Sequence, residues 1–149
     1  NNCSSCSVAS ALQQIFGVKA TAISTGGAQQ DLVGVAQECF SGAKHLTAGN
    51  SRSITSLDSA SSFLIKRFGN DAEGVIGISF SRNSGHAFNW AIKGGVVEFY
   101  DGQNGIDNDV SYFGRLFAAV DPDSPFDTIR LDCAVPIFDK LENYVRLEG

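Results

Sequence analysis

The apolar residues of this chain recur at helical spacing up to Phe68 and at extended spacing from Val75 onward, and that change of period limits the folds open to it. Val8, Ala11, Leu12 and Ile15 predict a helix over about 3–16, with Asn2 as its N-cap and Gly17 just past its end. A Gly/Thr/Ser-rich connection runs through Gly27. Leu32, Val35, Ala36, Cys39 and Phe40 then make one stripe of a second helix, which stops at Gly42. Residues 43–53 are polar and read as a loop. Thr55 and Asp58 have capping-box spacing ahead of a third helix, whose stripe of Leu57, Ala60, Leu64 and Phe68 ends at Gly69. Strands follow over 75–81, 86–93 and 96–101, the last two joined at Gly94-Gly95, a pair suited to a tight turn. Val110, Phe113 and Phe117 mark a short helix. Residues 121–125 read as a loop, 128–135 as a strand and 137–145 as a terminal helix.

Helices first and a mostly antiparallel sheet afterwards is the order of an α+β domain, not the strict alternation of a doubly wound fold. No repeat or internal boundary divides the chain, so 1–149 is expected to be one domain. At 149 residues and 43% apolar composition it can bury a core without a disulfide framework. The net charge of −5, with no Lys/Arg run, argues against a nucleic-acid or anionic-membrane partner. The chain contains no Met and begins almost at its first cysteine, which leads us to expect a piece of a longer protein.

The hairpin brings chemistry together. A turn at Gly94-Gly95 sets Ile92 opposite Val97, Trp90 opposite Phe99, Phe88 opposite Asp101 and His86 opposite Gln103, all on one sheet face. Asp101 is then the diagonal neighbour of His86, roughly 5–8 Å away between Cβ atoms, close enough to orient the imidazole. A third group stands at the first turn of the first helix. There the free N–H groups and the positive end of the dipole favour the thiolate of Cys3. Cys3 and Cys6 both lie off the Val8/Leu12/Ile15 stripe, so core filling does not explain them. A thiol, a base and an acid that orients the base are the parts of covalent acyl transfer.

Other readings of the same residues exist. Cys3 and Cys6 could form a redox or disulfide Cys-x-x-Cys pair, or half a zinc site. His86 could be a satisfied strand histidine, and Asp101 an ordinary turn residue. Cys39, in a helical stripe, and Cys133, alternating with Ile129, Leu131 and Val135, read as core. His45 sits in a polar stretch with no acid at convincing spacing, and Trp90 is expected to pack the hairpin against the first helix.

Three segments together, Asn2-Cys3-Ser4-Ser5-Cys6, Gly85-His86-Ala87-Phe88-Asn89 and Tyr100-Asp101-Gly102-Gln103-Asn104-Gly105, resemble the papain-fold glutamine deamidase toxins over nearly the whole chain. That family includes terminal domains of bacterial polymorphic toxins and type III effectors. The resemblance implies a papain-like fold, with Cys3 as nucleophile, His86 as base and Asp101 as orienter, and with no cofactor and no metal. It gives Asn2 and Gln103 supporting roles, Asn2 toward the substrate or oxyanion and Gln103 in local scaffolding. It also implies a protein substrate presenting a glutamine, a possible cognate immunity protein, and action in the cytosol of a target cell after secretion or injection. Papain-like enzymes draw part of their oxyanion hole from residues before the nucleophile, and only Asn1 and Asn2 precede Cys3 here. The chemistry itself leaves open a papain-like protease, a transglutaminase, or a non-catalytic binding module with a Cys3-Cys6 bridge.

Overall fold

The computed structural model describes residues 3–23 and 31–148. Its elements in chain order begin with α1 (Cys3–Phe16), β1 (Ala20–Ala22), α2 (Leu32–Cys39), β2 (Phe40–Ser41), β3 (Lys44–Ala48), a 3-10 turn (Arg52–Ile54) and α3 (Leu57–Phe68). There follow β4 (Ala72–Ser81), β5 (Ser84–Lys93), β6 (Val96–Asp101), β7 (Ile106–Asp107), α4 (Val110–Ala118), β8 (Phe126–Arg130), β9 (Val135–Pro136), α5 (Phe138–Leu141) and β10 (Val145–Leu147). Strands β3, β8, β4, β5, β6 and β7, in that order, make a six-stranded antiparallel sheet. Two short antiparallel pairs, β1 with β10 and β2 with β9, lie outside it.

The sheet is covered on both faces, because neighbouring strand residues point opposite ways. Val75, Ala87 and Ile129 pack with Val8 and Leu12 of α1 and with Val35 and Cys39 of α2. Ile76, Phe88, Trp90 and Phe99 pack on the other side with Leu64 of α3 and with Phe113 and Phe117 of α4. Small residues let α1 lie close to the sheet, since Ser4, Ser5, Ser7, Ala9 and Ala11 are all buried. Gly74 serves the same end between β4 and β8, where a Cβ would stand 1.9 Å from the Ile129 carbonyl oxygen. The β5–β6 turn holds Gly94 at φ 59° and Gly95 at φ 79°, a backbone that side chains resist. That turn sets the expected register, Ile92 opposite Val97 and Trp90 opposite Phe99.

The α+β class, the first helix, the end of the third at Gly69 and the β5–β6 hairpin all appear as read from sequence. Several details differ. The β5–β6 ladder ends at Asn89 opposite Tyr100, so the expected Phe88/Asp101 and His86/Gln103 pairs do not form. The third helix is capped by a Ser56/Ser59 box, one residue beyond Thr55/Asp58, because the 3-10 turn that buries Ile54 carries Thr55 with it. Lys44–Ala48, read as loop, is an edge strand whose pairing with β8 no local pattern announces. The chain leaves β8 at Arg130, where the Leu131 and Asp132 N–H groups turn to the Glu73 carbonyl, so Cys133 sits exposed in a turn and not in the core. The tail holds one turn of helix and then β10, which pairs with β1 in the stretch read as a connection. Trp90 faces α3, stacking on Phe68 at 4.8 Å, on the side of the sheet away from α1. The Asn2 cap and residues 24–30 of the first connection lie outside the described residues.

Candidate active site

The first helix brings its N-terminus to the end of β5. The Asn89 side-chain amide donates to the Ser7 carbonyl oxygen at 2.9 Å and ties the helix to the strand. Gly102, after β6, meets the same helix from the other side. A Cβ there would lie 2.1 Å from Ser10 Oγ and 3.2 Å from the Cys6 carbonyl oxygen. Cys3 is thereby set beside His86 and Ala87, and the His86 ring and the Ala87 and Ser4 N–H groups all act on its thiol in the direction of the thiolate. The Ala87 contact arises where β6 has turned away, two residues past the last β5–β6 pair.

His86 Nε2 lies 2.6 Å from Asp101 Oδ2, and Cys3 acts on the same ring. Asp101 is buried and is met by four further donors. The Gln103 and Asn104 N–H groups reach Oδ1 at 3.0 and 3.3 Å, and Asn104 Nδ2 and the Tyr112 hydroxyl reach Oδ2 at 3.1 and 2.5 Å. Asn104 Nδ2 also donates to the Tyr112 oxygen at 3.1 Å, closing a small network. Tyr112 is presented by α4, which starts at an Asp109 cap accepting the Tyr112 N–H at 3.0 Å.

The electrostatics follow from these contacts. Burial works against charge on all three groups, and the hydrogen bonds overcome it. The bonds from His86, Tyr112 and Asn104 hold the Asp101 carboxyl well below the usual carboxylate range. Burial opposes the imidazolium, but the Asp101 and Cys3 contacts raise His86 to about 9. Burial likewise disfavours the Cys3 thiolate, yet His86 and the Ala87 and Ser4 N–H groups bring its pKa below the ordinary thiol value. The two shifts, His86 upward and Cys3 downward, both favour the thiolate–imidazolium form of the pair. Cys6, one turn along, goes the other way, raised by burial and by the nearby Cys3 and Asp101 charges.

Of the residues singled out from sequence, Cys3, His86 and Asp101 come together here. Gln103 contributes through its backbone N–H while its side chain is exposed, and Asn2 lies outside the described residues. Cys3 and Cys6 are free thiols, as are Cys39 and Cys133. Among the described residues no three His, Cys, Asp or Glu side chains gather as a metal-binding group. His45 does have an acid, Asp127 Oδ1 at 3.2 Å from Nε2, reached through the unforeseen β3–β8 pairing. Tyr112 and Asn104 were missed. Asn104 could have been found as a turn residue three positions past Asp101, whereas nothing in the spacing of Tyr112 connects it to Asp101.

A family model described as papain fold toxin 1, glutamine deamidase, matches residues 1–106. That span takes in Cys3, His86, Asp101 and the Asp101–Gly105 turn, and ends before α4 and Tyr112. No curated protein matches the chain, and no solved structure does. The match covers well over half of the 149 residues, and the chain belongs to the papain fold toxin 1, glutamine deamidase family.

Proposed function

We propose that the protein is a cysteine-dependent protein-glutamine deamidase that converts a target glutamine side chain to glutamate. The observation that carries this reading is the contact of the Cys3 sulfur with a His86 whose Nε2 lies 2.6 Å from the buried Asp101 carboxylate. In the first step the Cys3 thiolate forms a bond to the carbonyl carbon of the substrate carboxamide. The C–O π electrons move onto oxygen, which is stabilised by N–H groups at the start of α1. His86 gives its proton to the amide nitrogen, the C–N bond breaks, ammonia leaves and a thioester remains. Neutral His86 then takes a proton from water, hydroxide adds to the thioester, and Cys3 leaves as thiolate with glutamate released. Asp101 keeps the ring in position and stabilises its charged form throughout.

The substitution of Glu for Gln places a negative charge where a neutral amide stood, an effect that is largest at a buried or interfacial glutamine of the target. As a toxin domain, the protein is proposed to be delivered into a target-cell cytosol, whose reducing conditions keep Cys3 free. A cognate immunity protein is a further proposed partner. The test is expression of wild-type and Cys3→Ala forms in candidate target cells, followed by proteome-wide mass spectrometry. The expected result is a set of Gln-to-Glu sites present only with the wild type. Backbone cleavage at the modified protein would assign a protease, amine-linked glutamines a transglutaminase, and an unchanged proteome would sink the deamidase reading.

A further inference from the structure

The sheet has two unlike edges. Strand β7, at one end, is two residues long, which is itself a guard against edge-to-edge pairing. Strand β3, at the other, runs five residues over Lys44–Ala48 and among the described residues pairs with β8 alone, which leaves one side of its backbone without a strand partner there. No proline or glycine interrupts it. Lys44, Leu46 and Ala48 share the face on which α3 lies, and His45 and Thr47 share the other.

Beside this edge a recess of about 220 Å³ is lined by Lys44, His45, Leu46, Arg67, Phe68 and Arg130. Three cationic side chains thus gather at one place on a chain whose net charge is −5. The arrangement is not one that a free sheet favours, since Lys44 and Arg130 are direct cross-strand partners, and like charges so placed repel. Arg130 is neutralised from behind by Asp132, with Nε and Nη2 each 2.9 Å from its carboxylate oxygens. Arg67, at the C-terminal turn of α3, and Lys44 supply the positive field facing the recess. Leu46 and Phe68 give it an apolar floor.

We propose that β3 is a docking edge that takes an extended acidic segment of a partner protein as an added strand. The backbone of β3 supplies main-chain hydrogen bonds, and alternate side chains of the guest fall into the recess. The expected guest pattern is an acidic residue near Lys44 and Arg67, then an apolar residue two positions away over Leu46 and Phe68. Five residues of edge correspond to about 17 Å of strand. The surface is formed by β3, β8 and α3, and the proposal is independent of the chemistry at Cys3.

Fluorescence anisotropy of the whole chain with a fluorescein-labelled six-residue Glu/Val peptide, Glu-Thr-Val-Thr-Glu-Thr, which sets Glu and Val two positions apart on one face, tests this. Hydrogen exchange of the 44–48 amides should be read alongside it. The peptide is expected to bind, to protect those amides, and to weaken as salt is raised. Lys44→Glu/Arg67→Glu should weaken it about tenfold or more, and Lys44→Gln/Arg67→Gln by less, with circular dichroism unchanged in both. A peptide of the same charge with two central prolines, unable to form a strand, should fail to bind. No binding of the Glu/Val peptide at millimolar concentration would overturn the proposal. So would equal binding of a Lys/Val peptide or of the proline-interrupted one.

Discussion

Asp101 shows how much of a reactive group is decided by its surroundings. Five donors converge on its two oxygens, and only one of them, His86, takes part in the proposed chemistry. The other four fix the carboxylate and keep it ionised, so the ring it holds keeps its proton to about pH 9. Replacing Asp101 by Asn preserves the shape and removes the charge. Turnover is expected to fall on the order of 10²–10⁴-fold, and the His86 titration followed by NMR should drop from about 9 toward its ordinary value. Tyr112→Phe removes a single donor and should cost about tenfold in kcat with KM unchanged, because a hydrogen bond to a charged group is lost while the substrate contacts stay. An unaltered kcat in Tyr112→Phe would show that the hydroxyl does not support the carboxylate.

At the level of elements, the site depends on how one helix is held against one strand end. The serine and alanine face of α1 lets it approach, Asn89 sets its position along β5, and Gly102 lets the Asp101 turn close onto it. A second glycine acts at the rim. The β4–β5 register shifts between Ser79 and Ser81, and a Cβ at Gly85 would lie 2.5 Å from the Ile78 carbonyl oxygen, so the residue just before His86 must be small. Gly102 offers the clearer test. Ser10 Oγ can rotate away from a new Cβ, but the Cys6 carbonyl and Ser10 Cβ, at 3.2 and 3.4 Å, move only with the helix. Gly102→Val is therefore expected to displace α1 from the turn and lower turnover on the order of 10²-fold, since a shift of about 1 Å between reacting groups has that effect. Gly102→Ala should be milder, and milder still in a Ser10→Ala background. Steady-state kinetics on the four forms distinguishes this order from a uniform loss.

For the whole molecule, the ion pair has a consequence for stability against pH. His86 is raised in the folded state, so its contribution is full below about pH 6.5 and is lost as pH rises through about 9. Cys3 is lowered, so its contribution has the opposite slope and grows as pH rises toward the unfolded thiol value of 9.0. Between these limits the two slopes have opposite signs and offset each other. Wild-type Tm should thus change less from about pH 6.5 to 8.5 than that of Cys3→Ala, which keeps the Asp101 contact to His86 and should lose several degrees over the same range. Below pH 3.8 both should lose the contribution of the lowered Asp101. A Cys3→Ala curve as level as the wild type would mean that His86 is not charged in the folded protein.

Local periodicity was enough to place α1, α2, α3, the β5–β6 hairpin and α4, because each carries its own repeat of buried residues and its own punctuation, such as Gly69 or Gly94-Gly95. The Cys-His-Asp set was legible in part. Cys3 opens a helix and His86 and Asp101 share one hairpin, so local geometry suggested the set, the family resemblance supplied its roles, and the meeting of helix and hairpin is tertiary. What sequence could not decide depends on distant partners: the edge strand β3, polar because it is half exposed, the exposed turn at Cys133, and the face chosen by Trp90. The supply of donors to Asp101 belongs with these, since Tyr112 reaches it only once α4 has packed on the sheet. The sequence determined which groups could react; the tertiary packing decided which of them are held charged, and by what.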